Sequence, residues 1–298
     1  MIDQKNQDID WLFRWKIFKL QGKIGALISI LPFFVVVFCF LGLPAIMILF
    51  GSFLDHGSFS LANYQKILTS RYDLQAFINS IWLSVFSAIL GAVIGVLASY
   101  AISQTTSWIR SIMIVITNLT SNFAGVPLAF AFAILFGMNG TLTVLLSKFL
   151  HFNLYDHFTL YSATGLALVY LYFQIPLATI LIFPSFYGLK KEWFEASKNL
   201  GATDWQFWKY IGIPVIAPAV IASFVILFAN AFGAYATAQA LTTGTYNLVT
   251  IRLARSLVSE VNPNLNRADA LAILMATIMF SSLVVYQKMN QRARRWLK

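Results

Sequence analysis

An all-α membrane protein with six transmembrane helices is the fold class this sequence predicts. Composition is the first reason: 59% of the 298 residues are hydrophobic and 11% are charged, where a soluble globular chain carries about 25% charged residues. The mean hydropathy is +0.73, and a soluble enzyme is excluded on that arithmetic. The second reason is spacing. Stretches free of Asp, Glu, Lys and Arg run over 24–54, 74–109, 111–147, 157–189, 210–251 and 270–287. Each is long enough, or nearly so, to cross about 30 Å of hydrocarbon as a helix.

Residues 1–23 form a polar and basic N-terminal segment, and 24–298 form the transmembrane domain. Between Ile9 and Lys23, Lys16, Lys19 and Lys23 fall on one helical face and Trp11, Trp15 and Phe18 on another. That pattern suits either an amphipathic helix in the headgroup layer or the interfacial anchor of the first span. The first span, about 25–50, is too long for a signal-peptide core and reads as a retained helix. It holds Cys39, the only cysteine, so an intrachain disulfide is excluded. The second span, 77–102, carries Gly91, Gly95 and Ser99 as a small-residue packing stripe. The third, 111–136, places Asn118, Thr120, Ser121 and Asn122 near its centre, shortly before Pro127, and the fourth, 160–184, contains Gln174. The fifth, 213–236, contains Asn230 and Tyr235; it is trimmed there because Thr237 to Asn247, with Gln239 among them, is too polar for lipid. An amphipathic helix is expected from Asn247 to Glu260, resting on the membrane surface or meeting a partner. The sixth span is 268–287.

Orientation follows from Lys and Arg between the spans. Fifteen fall in the N-terminal tail, the 103–110 loop, the 185–212 loop and the C-terminus; six fall on the opposite side, namely Lys66, Arg71, Lys148, Arg252, Arg255 and Arg267. Both termini are therefore expected in the cytoplasm. The net charge of +10 then reflects topology, with no nucleic acid as a partner.

Chemistry inside the membrane is sparse. The three histidines, His56, His151 and His157, fall in outward loops without a carboxylate or cysteine at metal-ligand spacing, so no metal is expected. No Asp or Glu lies away from the ends of a span; Asp269 sits at the lip of the last one. That removes most intramembrane catalysis and weighs against an ion-coupled secondary carrier or channel, which remains the alternative class. No GxxxxGK[ST] phosphate loop occurs, because Gly22-Lys23 is followed by Ile24. Any ATP used must bind another chain. The Asn, Thr, Ser and Gln side chains named above are costly against lipid, so each must face a pathway or bond another helix.

The most informative segment is KKEWFEASKNLGATDWQFWKYIGIPVIAPA, Lys190 to Ala219. Lys190 to Leu200 has helix-forming composition, and Gly201 suits the left-handed turn that ends a helix. Thr203-x-x-Gln206 is a capping box for a second helix, with Asp204 in its first turn. Trp193, Phe194, Trp205, Phe207 and Trp208 offer aromatic surface, either to a partner's groove or to the bilayer interface. Here the chain resembles the membrane subunits of type I ATP-binding-cassette importers, whose signature is EAA, three residues, Gly, nine residues, then I-x-L-P. Glu195, Ala196, Ser197, Gly201, Ile211, Ile213 and Pro214 keep that spacing, with Ser197 in place of the second Ala and Ile213 in place of Leu. The resemblance extends from about Phe77 to Tyr286.

The resemblance implies the type I ABC importer permease fold, with a coupling helix near Glu195 to Gly201 docked in a cleft of an ATPase subunit. It also implies two ATPase subunits carrying ATP and Mg2+, an extracytoplasmic solute-binding protein and location in the bacterial inner membrane. A second related permease is implied too, as a heterodimer more than as two copies of this chain. The pathway between the two permeases would be lined by the middle spans. The stretch Phe232 to Thr242, the length and the basic N-terminal extension look like the branch that serves polyamines, ferric iron and small organophosphorus solutes.

Overall fold

The computed structural model describes residues 30–55, 57–258 and 264–295. The N-terminal segment 1–23, His56 and the end of the 247–260 stretch lie outside the described residues. Among the described residues, six helical stretches are long and apolar enough to cross a membrane: Ile30–Ser52, Arg71–Ser103, Val126–Leu150, Ala163–Phe186, Asp204–Phe232 and Leu265–Lys288. The first of these, α1 (Ile30–Ser52), has a π-helical turn at Phe38–Gly42. Its large side chains are mostly exposed, as lipid-facing positions are. A two-stranded hairpin, Leu54–Asp55 with Ser58–Phe59, leads to α2 (Ala62–Thr69) and then α3 (Arg71–Ser103).

The bundle is built around α3 and α7 (Ala163–Phe186), each started by a serine cap. Ser70 accepts from the Asp73 N–H and Ser162 from the Gly165 N–H. The small-residue stripe of α3 is what lets them meet. A Cβ on Gly91 would touch Gln174, one on Gly95 would collide with Ala178, and Ser99 Oγ donates to the Thr179 carbonyl at 3.1 Å. This close approach suits helix association in lipid, where packing and interhelical hydrogen bonds replace the hydrophobic drive. One apolar cluster, including Ala88, Ile182, Leu227 and Leu271, joins these helices to α10 (Ile213–Phe232) and α13 (Leu265–Arg295). A second, including Leu83, Leu128, Leu166 and Leu241, packs the helices that carry Leu128 and Leu241 against α3 and α7.

Two expected spans are broken. In place of one helix over 111–136, α4 (Ser107–Asn122) stops and α5 (Val126–Phe136) begins after a turn at 123–125, where Gly125 has φ +76°. α4 lies along α7 at Thr117 and Thr179, and α5 continues along α7, with Phe123 and Phe132 against Tyr172. α6 (Thr141–Leu150) follows a turn at 137–140. The other broken span, expected over 213–236, ends at Phe232. The chain turns at Gly233–Ala234 and restarts as α11 (Tyr235–Thr242), whose Thr237 and Thr242 are buried in protein. The polarity that excluded this stretch from lipid is thus satisfied within the bundle.

Candidate functional site

The 190–212 loop stands at the end of the bundle where α3 and α7 finish. α8 (Lys191–Asn199) closes in a Schellman turn: the Gly201 N–H donates to the Lys198 carbonyl at 2.9 Å and the Ala202 N–H to the Ser197 carbonyl at 2.9 Å. Gly201 has φ +79°, and nothing lies within 4 Å of where its Cβ would stand. The glycine is therefore needed for its backbone angle, and the space in front of it is open. α9 (Asp204–Phe207) starts with the expected capping box; Thr203 Oγ1 accepts from the Gln206 N–H and Gln206 Oε1 from the Thr203 N–H. Lys198 bridges to Asp204 across the turn at 2.7 Å, and Lys191 to Glu195 at 3.3 Å. Both pairs are solvent-exposed and contribute about 0–1 kcal/mol each.

The five aromatics divide. Phe207 is buried, edge-on to Phe194 at 5.0 Å, and holds α8 to α9, while Trp208 packs edge-on to Tyr100 of α3 at 5.4 Å and fastens the loop to the bundle. Trp193, Phe194, Trp205 (71% exposed) and Leu200 (88% exposed) form the outward face, together with Glu195 and Ala196. Ser197 is buried against its own helix, donating to the Phe194 carbonyl. A small side chain is what this position needs, which accounts for Ser in place of Ala.

α9 does not end as an isolated short helix. It passes through a π-helical turn, Trp208–Gly212, into α10, with the Ile213 N–H donating to the Trp208 carbonyl. Ile211 lies within this turn. The wider i→i−5 turn admits Pro214, which lacks an N–H, and Gly212 leaves room for the Trp208 indole. One helical run of 29 residues, Asp204–Phe232, about 43 Å long, thus links the loop to the interior of the bundle.

That run ends where the two broken spans meet. The Gly125 N–H donates to Thr237 Oγ1 at 2.9 Å, joining the turn between α4 and α5 to the start of α11. Beside the junction, Asn118 and Asn122 are exposed on α4, with Thr120 and Ser121 half-buried. All four donate to carbonyls of their own helix, Ile114, Ile116 or Asn118. Asn230 and Tyr235 are exposed and Gln239 half-buried on the other broken span. Gln174 belongs elsewhere: it is fully buried, donating to Ser87 Oγ at 3.3 Å and to the Leu227 carbonyl at 3.1 Å. It ties α3, α7 and α10 together inside the bundle and reaches no surface of this chain.

The family model for the binding-protein-dependent transport system inner membrane component matches residues 91–295. The chain belongs to this family. As a permease of that family it is a multi-pass protein of the bacterial inner membrane and a component of a transport system. Among its relatives, a putative ferric transport permease, FbpB 1 of Haemophilus influenzae, is 26% identical over 70% of this chain and 33% of its own. The spermidine/putrescine permease PotC of Haemophilus influenzae is 22% identical over 87% and 95%. The sulfate permease CysT of Escherichia coli is 24% identical over 59% and 61%. The chain spans about a third of the length of the ferric permeases it matches. In fold it is similar to a bacterial transporter that imports alginate, with TM-score 0.73 and 18% identity over 93% of this chain and 98% of that one. A second structure of an alginate transporter is in complex with a periplasmic protein bound to an alginate pentasaccharide.

At the far end of the permease, α12 (Val249–Val258) begins inside the bundle, with Val249, Thr250 and Ile251 buried, and its later residues Leu257 and Val258 are exposed. Of its two arginines, Arg252 turns to Asp73 and Arg255 donates to the Gly244 carbonyl. Asp73 is fully buried and takes Arg252 at 2.8 Å on one oxygen and Arg267 at 2.6 Å on the other. α3, α12 and α13 are thereby clamped together. Sequence reasoning missed this clamp, and it missed the Gly125–Thr237 junction. Asp73 beside a span end, with two arginines in later outward segments, was the available signal for the first. The partner of Gly125 lies 112 residues away, and no local pattern points to it.

Proposed function

We propose that this permease forms half of the translocation pathway of an ATP-binding-cassette importer. On this reading α8 and the Gly201 turn couple ATP hydrolysis on two partner ATPase subunits, which carry ATP and Mg2+, to solute uptake. The termini and the 190–212 loop face the cytoplasm. The observation that carries the reading is the exposed knob of Leu200, Trp205, Trp193 and Glu195 joined through α9 to α10 as one helical run. An aromatic, compact projection of this kind suits a cleft on a soluble partner, and an unbroken helix behind it transmits displacement to the junction at Gly125 and Thr237.

The exposed amides of Asn118, Asn122 and Asn230 support a second permease, because such groups at membrane depth require protein or water against them. A related chain forming a heterodimer fits better than a second copy on the family resemblance. The solute is a small polar compound of the polyamine, ferric iron or organophosphorus class, delivered by an extracytoplasmic binding protein. The names of the ferric and spermidine/putrescine relatives support the first two classes, that of the sulfate relative leaves room for an inorganic anion, and the periplasmic protein of the alginate transporter supports the delivery step. Affinity purification in detergent tests the coupling assignment. An ATPase subunit accompanies the wild type, and Glu195→Ala combined with Gly201→Trp lowers its capture at least tenfold while the permease stays folded and melts in a single cooperative transition. Equal capture by both forms would refute the assignment.

A further inference from the structure

Beneath the loop, between the ends of α3 and α7 and the start of α4, lies a cavity of about 530 Å3. Arg110, Lys190 and Lys191 line it with Tyr187, Phe186 and Trp208, and none of its lining residues is a carboxylate. Arg110 is held in place by the Ser103 and Thr105 carbonyls at 3.0 and 2.7 Å, and its guanidinium lies 5.8 Å from the centre of the Tyr187 ring. Its Nε is buried without a hydrogen-bond partner. Among the described residues, Lys191 pairs with exposed Glu195. Further along the spans a second cavity, about 230 Å3, is lined by Ile102, Ile114, Ile180 and Pro184 with Thr117 and Thr179. Phe183 is common to both walls.

We propose that this pair of cavities binds one anionic phospholipid, its phosphate among Arg110, Lys190 and Lys191 and an acyl chain in the slot between α3, α4 and α7. The division is what such an amphiphile requires. Cations gather where the spans end, at headgroup level, and an almost wholly apolar slot adjoins them at hydrocarbon depth. A free phosphate would leave the slot empty, and the cationic N-terminal segment of this chain is repelled by the same three charges. A lipid seated there contacts Phe207 and Trp208, the residues that fasten the coupling loop, so it sets how firmly the loop is held.

The test is native mass spectrometry of the full-length permease in its complex, purified from membranes and re-equilibrated with detergent micelles containing phosphatidylglycerol or phosphatidylcholine. Wild type is expected to retain one phosphatidylglycerol in preference to phosphatidylcholine, with excess inorganic phosphate failing to displace it. Lys190→Gln with Lys191→Gln weakens retention roughly thirtyfold, at about fivefold per surface cation. Ile114→Trp, which fills the slot and leaves the cations untouched, abolishes retention. Equal retention of the two lipids, displacement by phosphate, or unchanged retention in both variants would overturn the proposal.

Discussion

Asp73 holds three helices together through one buried carboxylate. Burying a carboxylate is costly unless it is paired, and here two arginines from different helices neutralise it. Asp73→Asn keeps the shape and leaves two guanidinium groups facing a neutral amide. We expect it to destabilise the permease by about 3 kcal/mol, read as a lowered melting temperature in detergent; an unchanged melting temperature would show that the clamp contributes nothing. Gly201 is the opposite kind of residue. Its φ of +79° costs a side-chain-bearing residue about 1–2 kcal/mol, yet the space around it is empty. Its turn was legible from a glycine placed just before a capping box. The inward rotation of Phe207 and Trp208 was not, because an aromatic run looks alike whether it faces a partner, lipid or its own bundle.

At the scale of elements, the spans were legible because charge is excluded from hydrocarbon, and that exclusion shows in any single sequence. The breaks within them were not. Ser107 to Phe136 reads as almost uninterrupted apolar helix, and only the Thr237 hydroxyl, brought in from the other broken span, satisfies the Gly125 N–H. Removing that partner leaves a half-buried donor unpaired. Thr237→Val is therefore expected to cost about 1 kcal/mol, whereas Thr237→Ser, which keeps the hydroxyl, restores stability. Thermal unfolding of the two variants side by side checks this, and equal loss in both would assign the effect to packing. The small-residue stripe of α3 was readable because small residues at helical spacing have few other uses in a membrane helix. Its partner, α7 at Ala178 and Thr179, was not.

Across the whole molecule, sequence alone reached the number of membrane-crossing helices, the helix–turn–helix form of the 190–212 loop and the family. It did not reach which polar residues face out. Asn118 and Asn122 bond only to their own helix and stay exposed, while Gln174 is consumed inside the bundle; both are amides near the middle of a span, and only packing separates them. The resulting design places an exposed knob at one end, a continuous helix behind it, a junction of two broken spans further in and an ion clamp at the far end. Its central claim is that motion of the knob is passed along this helix to the pathway. The direct measurement is solute transported per ATP hydrolysed in proteoliposomes holding the permease with its ATPase, second permease and binding protein, for wild type and Gly201→Trp. The ratio is expected to fall at least tenfold while the permease still melts in a single cooperative transition, lowered by no more than the cost of about 1–2 kcal/mol for a side chain at that φ. An unaltered ratio would contradict the claim.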